Sequence, residues 1–185
     1  MIEYIPEKIE TPARVLSDVP SGWKGLETVI GDVVARFCKE HQVALEIGVE
    51  TGFSIVALSN YFDRVLGVDH FMGDEHAGLT PDGVDRYAET LARLKPYPNI
   101  SLFKMDAFEF IAQHKAQYDL IHIDAKHDFY STYVLSYWAC QHSPVVIGHD
   151  ITYFADVRPA MERAAKDFGR TAYSISPFNG LGILV

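Results

Sequence analysis

Residues 43–54 read Val43-Ala44-Leu45-Glu46-Ile47-Gly48-Val49-Glu50-Thr51-Gly52-Phe53-Ser54. A short apolar run leads into two glycines four positions apart, and Phe53, Val56, Ala57 and Tyr61 then share one helical face. This order predicts a strand, a tight turn and a helix. Gly48 lets the chain turn sharply and lets a ligand approach the backbone, and Gly52 opens the helix close to the sheet. The alternative is an ordinary strand–helix turn that holds no ligand.

The same alternation recurs along the chain. Strand-like runs at 64–69, 100–105, 118–124 and 144–148 are each followed by helical spacing, for example Val84, Tyr87, Ala88, Leu91 and Leu94 after a Thr80-Pro81 start. A helical pattern through Leu26, Val29, Ile30, Val33, Val34 and Phe37 precedes the first strand. Asn179-Gly180 between two strand-like runs predicts a closing hairpin. Strands alternating with helices argue for an α/β fold with a parallel sheet covered on both faces. Residues 1–21, rich in Pro and charge, read as an N-terminal arm, and residues 22–185 as one domain.

Composition narrows the function. Sixteen Lys and Arg against 25 Asp and Glu give a net charge of −9, opposite to the usual balance of nucleic-acid binders. Two distant cysteines, Cys38 and Cys140, suggest reduced thiols and no disulfide scaffold. No apolar run is long enough to span a bilayer, and Met1 to Leu16 lacks the apolar core of a secretory signal. The expectation is a soluble cytoplasmic protein with no nucleic-acid or membrane partner.

In open α/β sheets ligands bind at the carboxyl ends of the strands. Here those ends carry Gly48, Asp69, Asp106, Asp124 and His149-Asp150. Glu46 and Glu50 flank the glycine turn, so a pyrophosphate would be repelled there, and the third glycine of the fingerprint GxGxxG is missing. Asp69, about 20 positions after Gly48, can accept the ribose hydroxyls of a nucleoside, or it can be a helix cap. Asp106 can receive an adenine amino group or cap the next helix. His127 and His149 are candidate general bases, since a histidine is half neutral near pH 7. His122, inside a strand run, reads as packing. Tyr130, Tyr133, Tyr137 and Trp138 repeat at helical spacing and read as core. His70 and His76 fall in a polar loop, and Tyr153, Phe154 and Phe178 are candidates for the wall of an acceptor site.

Taken in order, Glu46 to Ser54, Gly67-Val68-Asp69, Met105-Asp106-Ala107, Ile121-His122-Ile123-Asp124-Ala125-Lys126-His127 and Val146 to Ile151 resemble the class I S-adenosylmethionine-dependent methyltransferases over roughly residues 25–185. The last two segments resemble the small-molecule O-methyltransferase subgroup of the catechol type. The resemblance implies a Rossmann-like, seven-stranded, mostly parallel sheet with helices on both faces and a C-terminal antiparallel hairpin. It implies that Glu46, Gly48, Thr51, Gly52, Ser54, Asp69, Asp106 and Asp124 form the cofactor site, with Glu46 fixing the glycine loop through backbone N–H groups, Asp69 on the ribose and Asp106 by the adenine. It further implies a divalent cation, Mg²⁺ or Mn²⁺, on Asp124, His149 and Asp150. His149 departs from the acid usual at its position, and imidazole suits Mn²⁺, Fe²⁺ or Zn²⁺ better than Mg²⁺.

The implied function is methyl transfer from S-adenosylmethionine to a small-molecule acceptor, on oxygen, with or without a metal. Its rivals are a methyltransferase-like binding domain without catalysis and an NAD-dependent oxidoreductase, which the missing glycine disfavours. A protein acceptor stays open, and a second subunit of a homo-oligomer could close the pocket.

Overall fold

The computed structural model describes residues 1–73 and 84–185. Its elements are β1 (Ile2–Glu3), a 3₁₀ turn (Leu26–Thr28), α1 (Ile30–Phe37), β2 (Val43–Ile47), α2 (Phe53–Leu58), β3 (Arg64–Asp69), α3 (Tyr87–Leu94), β4 (Ile100–Lys104), α4 (Ala107–Gln113), β5 (Leu120–Ile123), α5 (Phe129–His142), β6 (Val145–His149), α6 (Val157–Asp167), β7 (Ala172–Ile175) and β8 (Leu181–Leu184). The Thr80-Pro81 start and His76 lie outside the described residues.

The strands form one sheet in the order β1-β7-β8-β6-β5-β2-β3-β4. All neighbours run parallel except β8, which is antiparallel to both β6 and β7. The α/β class and the closing hairpin are as expected from the sequence. Among the described residues the strands number eight where seven were expected, because Ile2 and Glu3 of the arm pair with Tyr173 and Ser174 at one edge.

Side-chain alternation along the strands builds two cores. Ala44, Leu120, Val145 and Ile147 face the side carrying α1, α2 and Leu94 of α3. Leu45, Ile47, Ile121, Ile123 and Val146 face the side carrying Phe110, Leu135, Trp138 and Met161. The period of two also puts Glu46 and His122 on the first side, where both are fully buried, and they stand opposite each other in the β2–β5 register.

The aromatic row of α5 is not core throughout. Trp138 is buried, but Tyr130 and Tyr137 are exposed. The buried face of α5 is built instead from Ser131, Thr132, Leu135, Ser136 and Ala139. Small side chains there let the helix lie close to its neighbours, which turns the tyrosines outward. Its start is capped by Asp128, whose side chain accepts from Ser131 N. No helix among the described residues is long and apolar enough to cross a membrane.

Candidate functional site

The carboxyl ends of β2 to β6 open on a cleft of about 970 Å³. Strand order reverses between β2 and β5, the place where such sheets leave a crevice. Gly48 sits on that crevice with φ of 92°, and a Cβ there would stand 1.8 Å from the carbonyl oxygen of Asp124. The turn and the close backbone approach both require glycine. Gly48, Thr51, Ser54, Asp69, Asp106, Asp124, His127, His149 and Asp150 all line the cleft, whereas Glu46 and Gly52 do not.

The loop is held differently from the expectation. Asp69 Oδ2 accepts from Val49 N and Glu50 N at 2.8 Å each, and Oδ1 accepts from Phe71 N at 2.6 Å. Asp69 therefore does the work expected of Glu46. With about four acceptor positions on a carboxylate, roughly one is left on Oδ1 for a ligand. Asp106 caps α4 through Phe108 N at 2.8 Å and Glu109 N at 3.2 Å, so the capping reading holds, and the residue also faces the cleft.

Glu46 lies beneath the loop and makes no bond to its N–H groups among the described residues. Its Oε1 accepts from the Ser54 hydroxyl and lies 2.9 Å from His122 Nδ1. Burial raises the Glu46 carboxyl above its ordinary range, and the bonds from His122 and Ser54 partly offset that. His122 is thus a hydrogen-bonded interior residue and not simple packing. Its Nε2 receives the Trp23 indole N–H at 3.3 Å.

Also on the cleft wall, four side chains converge. His127 Nε2 lies 3.3 Å from Asp124 Oδ1 and 3.1 Å from Asp150 Oδ2. His149 Nδ1 lies 3.3 Å from Asp124 Oδ2 and 3.4 Å from Asp150 Oδ1, while its Nε2 is 3.1 Å from the Phe178 carbonyl. Asp150 adopts φ of 63°, a left-handed conformation that side chains other than glycine seldom take, at the end of β6. Burial works against charge on both rings, yet the carboxylates of Asp124 and Asp150 outweigh it and raise His127 and His149 to about 9. Asp124 is likewise opposed by burial, but His149 and His127 hold its carboxyl well below the usual range. Two carboxylates thus face two imidazole rings whose charged form they favour.

One ligand atom each from Asp124, His127 and Asp150 fall within 4.8 Å of one another. The trio suited to a cation therefore contains His127 in place of His149, which sits behind it with both ring nitrogens directed at acceptors. Phe154 stacks on the His127 ring at 4.5 Å and lines the cleft with Tyr153. Phe178 does not line it. Its ring packs where a Cβ on Gly25 would fall. His70 lines the cleft beside Asp69.

Sequence reasoning missed three parts of the wall. Thr90 Oγ1 donates to the Glu50 carbonyl at 3.0 Å, and Arg93 Nη1 to the Thr51 carbonyl at 3.0 Å, so α3 grips the glycine loop. Residues 18–23 of the arm and its continuation also line the cleft. Gly22 lies against His149, since a Cβ there would meet Asn179 Nδ2 at 2.8 Å and His149 Cε1 at 3.4 Å. No local sequence signal marks these partners, which come together only in the fold.

Residues 45–151, more than half of the chain, match a family model described as a methyltransferase domain. No curated protein matches the chain in sequence. A Staphylococcus aureus protein provisionally assigned as a caffeoyl-CoA O-methyltransferase is similar in structure, with a TM-score of 0.65 and 17% identity over 90% of this chain and 85% of that one. A Klebsiella pneumoniae protein provisionally assigned as an O-methyltransferase gives 0.62 and 16% over 92% and 82%. A Streptococcus mutans protein provisionally assigned as a methyltransferase, solved in complex with SAH, gives 0.62 and 11% over 90% and 98%. The chain belongs to the methyltransferase-domain family and has the fold of the class I S-adenosylmethionine-dependent enzymes.

Proposed function

We propose that the protein transfers a methyl group from S-adenosylmethionine to an oxygen of a small-molecule acceptor, with a divalent cation held by Asp124, His127 and Asp150. The observation that carries this reading is that one cleft is lined both by the glycine turn with Asp69 and by the carboxylate–imidazole cluster.

The residues fit the cofactor. The Cβ-free cradle at Gly48 admits a ligand against the backbone. The remaining acceptor position on Asp69 Oδ1 suits a ribose hydroxyl, and Asp106 stands further along the same wall. S-Adenosylmethionine, when bound, supplies an electrophilic methyl on a positively charged sulfonium. The acids lining the cleft favour that charge, and the enzyme's contribution is mainly positioning.

The residues also fit a cation. Asp150 Oδ1 is buried and accepts no hydrogen bond among the described residues, and the imidazoles of His127 and His149 lie within 3.4 Å of the two carboxylates. A donor set of two carboxylates and one imidazole suits Mn²⁺, Fe²⁺ or Zn²⁺ better than Mg²⁺. Such an ion supplies Lewis acidity that lowers the pKa of a bound hydroxyl. His149, pinned between Asp124 and the Phe178 carbonyl, orients Asp124 with both ring nitrogens engaged. Tyr153 and Phe154 form the apolar side of the acceptor site.

The test is transfer of a labelled methyl group from S-adenosylmethionine to a panel of small hydroxyl compounds, with metal-stripped protein and with added Mn²⁺. Mn²⁺-dependent transfer that Asp150→Asn abolishes is expected. Transfer that is indifferent to chelation would remove the cation from the account.

A further inference from the structure

A chain of four hydrogen-bonded side chains runs under the cleft from one wall to the other. Trp23 and Ser54 both line the cleft, whereas the two residues between them, His122 and Glu46, are fully buried. The direction of each bond follows from chemistry. An indole N–H can only donate, so His122 Nε2 accepts. The proton of neutral His122 then sits on Nδ1 and is donated to Glu46 Oε1. The same oxygen takes the Ser54 hydroxyl. Glu46 Oε2 has no partner among the described residues. The carboxylate is therefore held through one oxygen only, by donors from the two sides, and a change at Ser54 reaches His122 without other bonds to absorb it. In a buried, low-dielectric interior such bonds are strong and directional.

The two ends of this chain serve different parts of the site. Ser54 lies in the first turn of α2, directly after the glycine loop. Trp23 belongs to the segment that walls the cleft and seats Gly22 against His149, the ring that holds Asp124. Trp23 also packs edge-on against His122 at 5.4 Å and stands 6.5 Å from His149.

We propose that Trp23, acting through His122 and Glu46, is a positioning residue that couples occupation of the glycine loop to the seating of residues 18–25 over the acid cluster. This rests on the reading that S-adenosylmethionine occupies that loop. Its consequence is that cofactor binding and the seating of this wall favour one another.

The test is hydrogen exchange of the Trp23, Lys24 and Gly25 amides, which bond to Ser21 Oγ, Ser21 O and Glu27. Exchange is measured with and without S-adenosylhomocysteine, whose binding is followed separately by calorimetry. In the unmodified protein the ligand is expected to slow exchange about tenfold, the equivalent of about 1.4 kcal/mol of added local stability. Trp23→Phe, which keeps a ring and removes the N–H, and His122→Leu, which removes both ring nitrogens and so breaks the link to Glu46, should each reduce that slowing to less than about twofold while ligand still binds. Glu46→Gln keeps the accepting oxygen and should preserve it. Slowing that survives both cuts would show direct contact and overturn the coupling, and so would loss in Trp23→Phe alone or loss in Glu46→Gln. Binding heat without slowing in the unmodified protein would overturn the coupling only. Absence of binding heat would overturn the functional reading, and the coupling with it.

Discussion

Replacing Gly48 by alanine tests the geometry on which the cleft rests. Two costs arise from the structure. The backbone at Gly48 has φ of 92°, a conformation that costs a side-chain-bearing residue about 1–2 kcal/mol. The new Cβ would also stand 1.8 Å from the Asp124 carbonyl oxygen, and because that obstacle is backbone the ends of β2 and β5 must move apart. Such overpacking costs about 1–3 kcal/mol. A total of about 3 kcal/mol corresponds to a fall in Tm of about 6–12 °C for a chain of this size. Gly169→Ala is the control, since Gly169 has φ of 64° but nothing within 4 Å of its added Cβ. It should lose only about 1–2 kcal/mol and bind S-adenosylhomocysteine unchanged. Thermal unfolding and calorimetry of both variants give the answer. Equal losses in the two, or unchanged ligand affinity in Gly48→Ala, would refute the claim that the crossing of Gly48 over Asp124 shapes the site.

Three further outcomes are expected. Burial pushes the Cys38 thiol up to about 12 and the Cys140 thiol up to about 11, so neither should react with a thiol reagent at pH 8 until denaturant is added, and rapid labelling of the native protein would contradict this. Asp119 Oδ2 accepts from Gln42 N and Val43 N at 2.7 Å each, so Asp119→Ala should destabilise by about 1–3 kcal/mol through orphaned N–H groups at the start of β2, read as a lower urea midpoint. His127 and His149 are raised in the fold to about 9 from 6.5, so their stabilising contribution is complete below the unfolded value and is lost as pH rises through 9. The Tm of metal-free protein should therefore fall from about pH 7 to about pH 10, and Asp150→Asn should flatten that fall; a Tm that rises over the range contradicts it.

What was legible in the sequence was whatever is local. Gly48, Asp69, Asp106, Asp124 and Asp150 each end a strand-like run, and a period of two followed by helical spacing suffices to place them on one edge. Asn179-Gly180 announced its hairpin because both residues take positive φ, though Phe178 joins them and lengthens the turn. What was hidden depends on register and on contacts between distant segments. Nothing near Glu46 says that its partner is His122, which becomes its neighbour only when β2 pairs with β5. That Asp69 holds the loop in place of Glu46 follows from the same cause, since the loop N–H groups of Val49 and Glu50 meet the end of β3. The place of Trp23 in the wall, and that of Arg93 on the loop, follow from the packing of the arm and of α3. The tyrosines of α5 were misread because helical spacing alone does not say which side of a helix faces the sheet when small residues can fill that side more closely.

The central claim is that the cleft takes S-adenosylmethionine and no dinucleotide. Calorimetric titration of metal-stripped protein with S-adenosylhomocysteine, beside a parallel titration with NAD, tests it most directly. Micromolar binding of the homocysteine compound, weakened in Gly48→Ala, is expected, with no heat from NAD. Binding of NAD, or of neither compound, would contradict it.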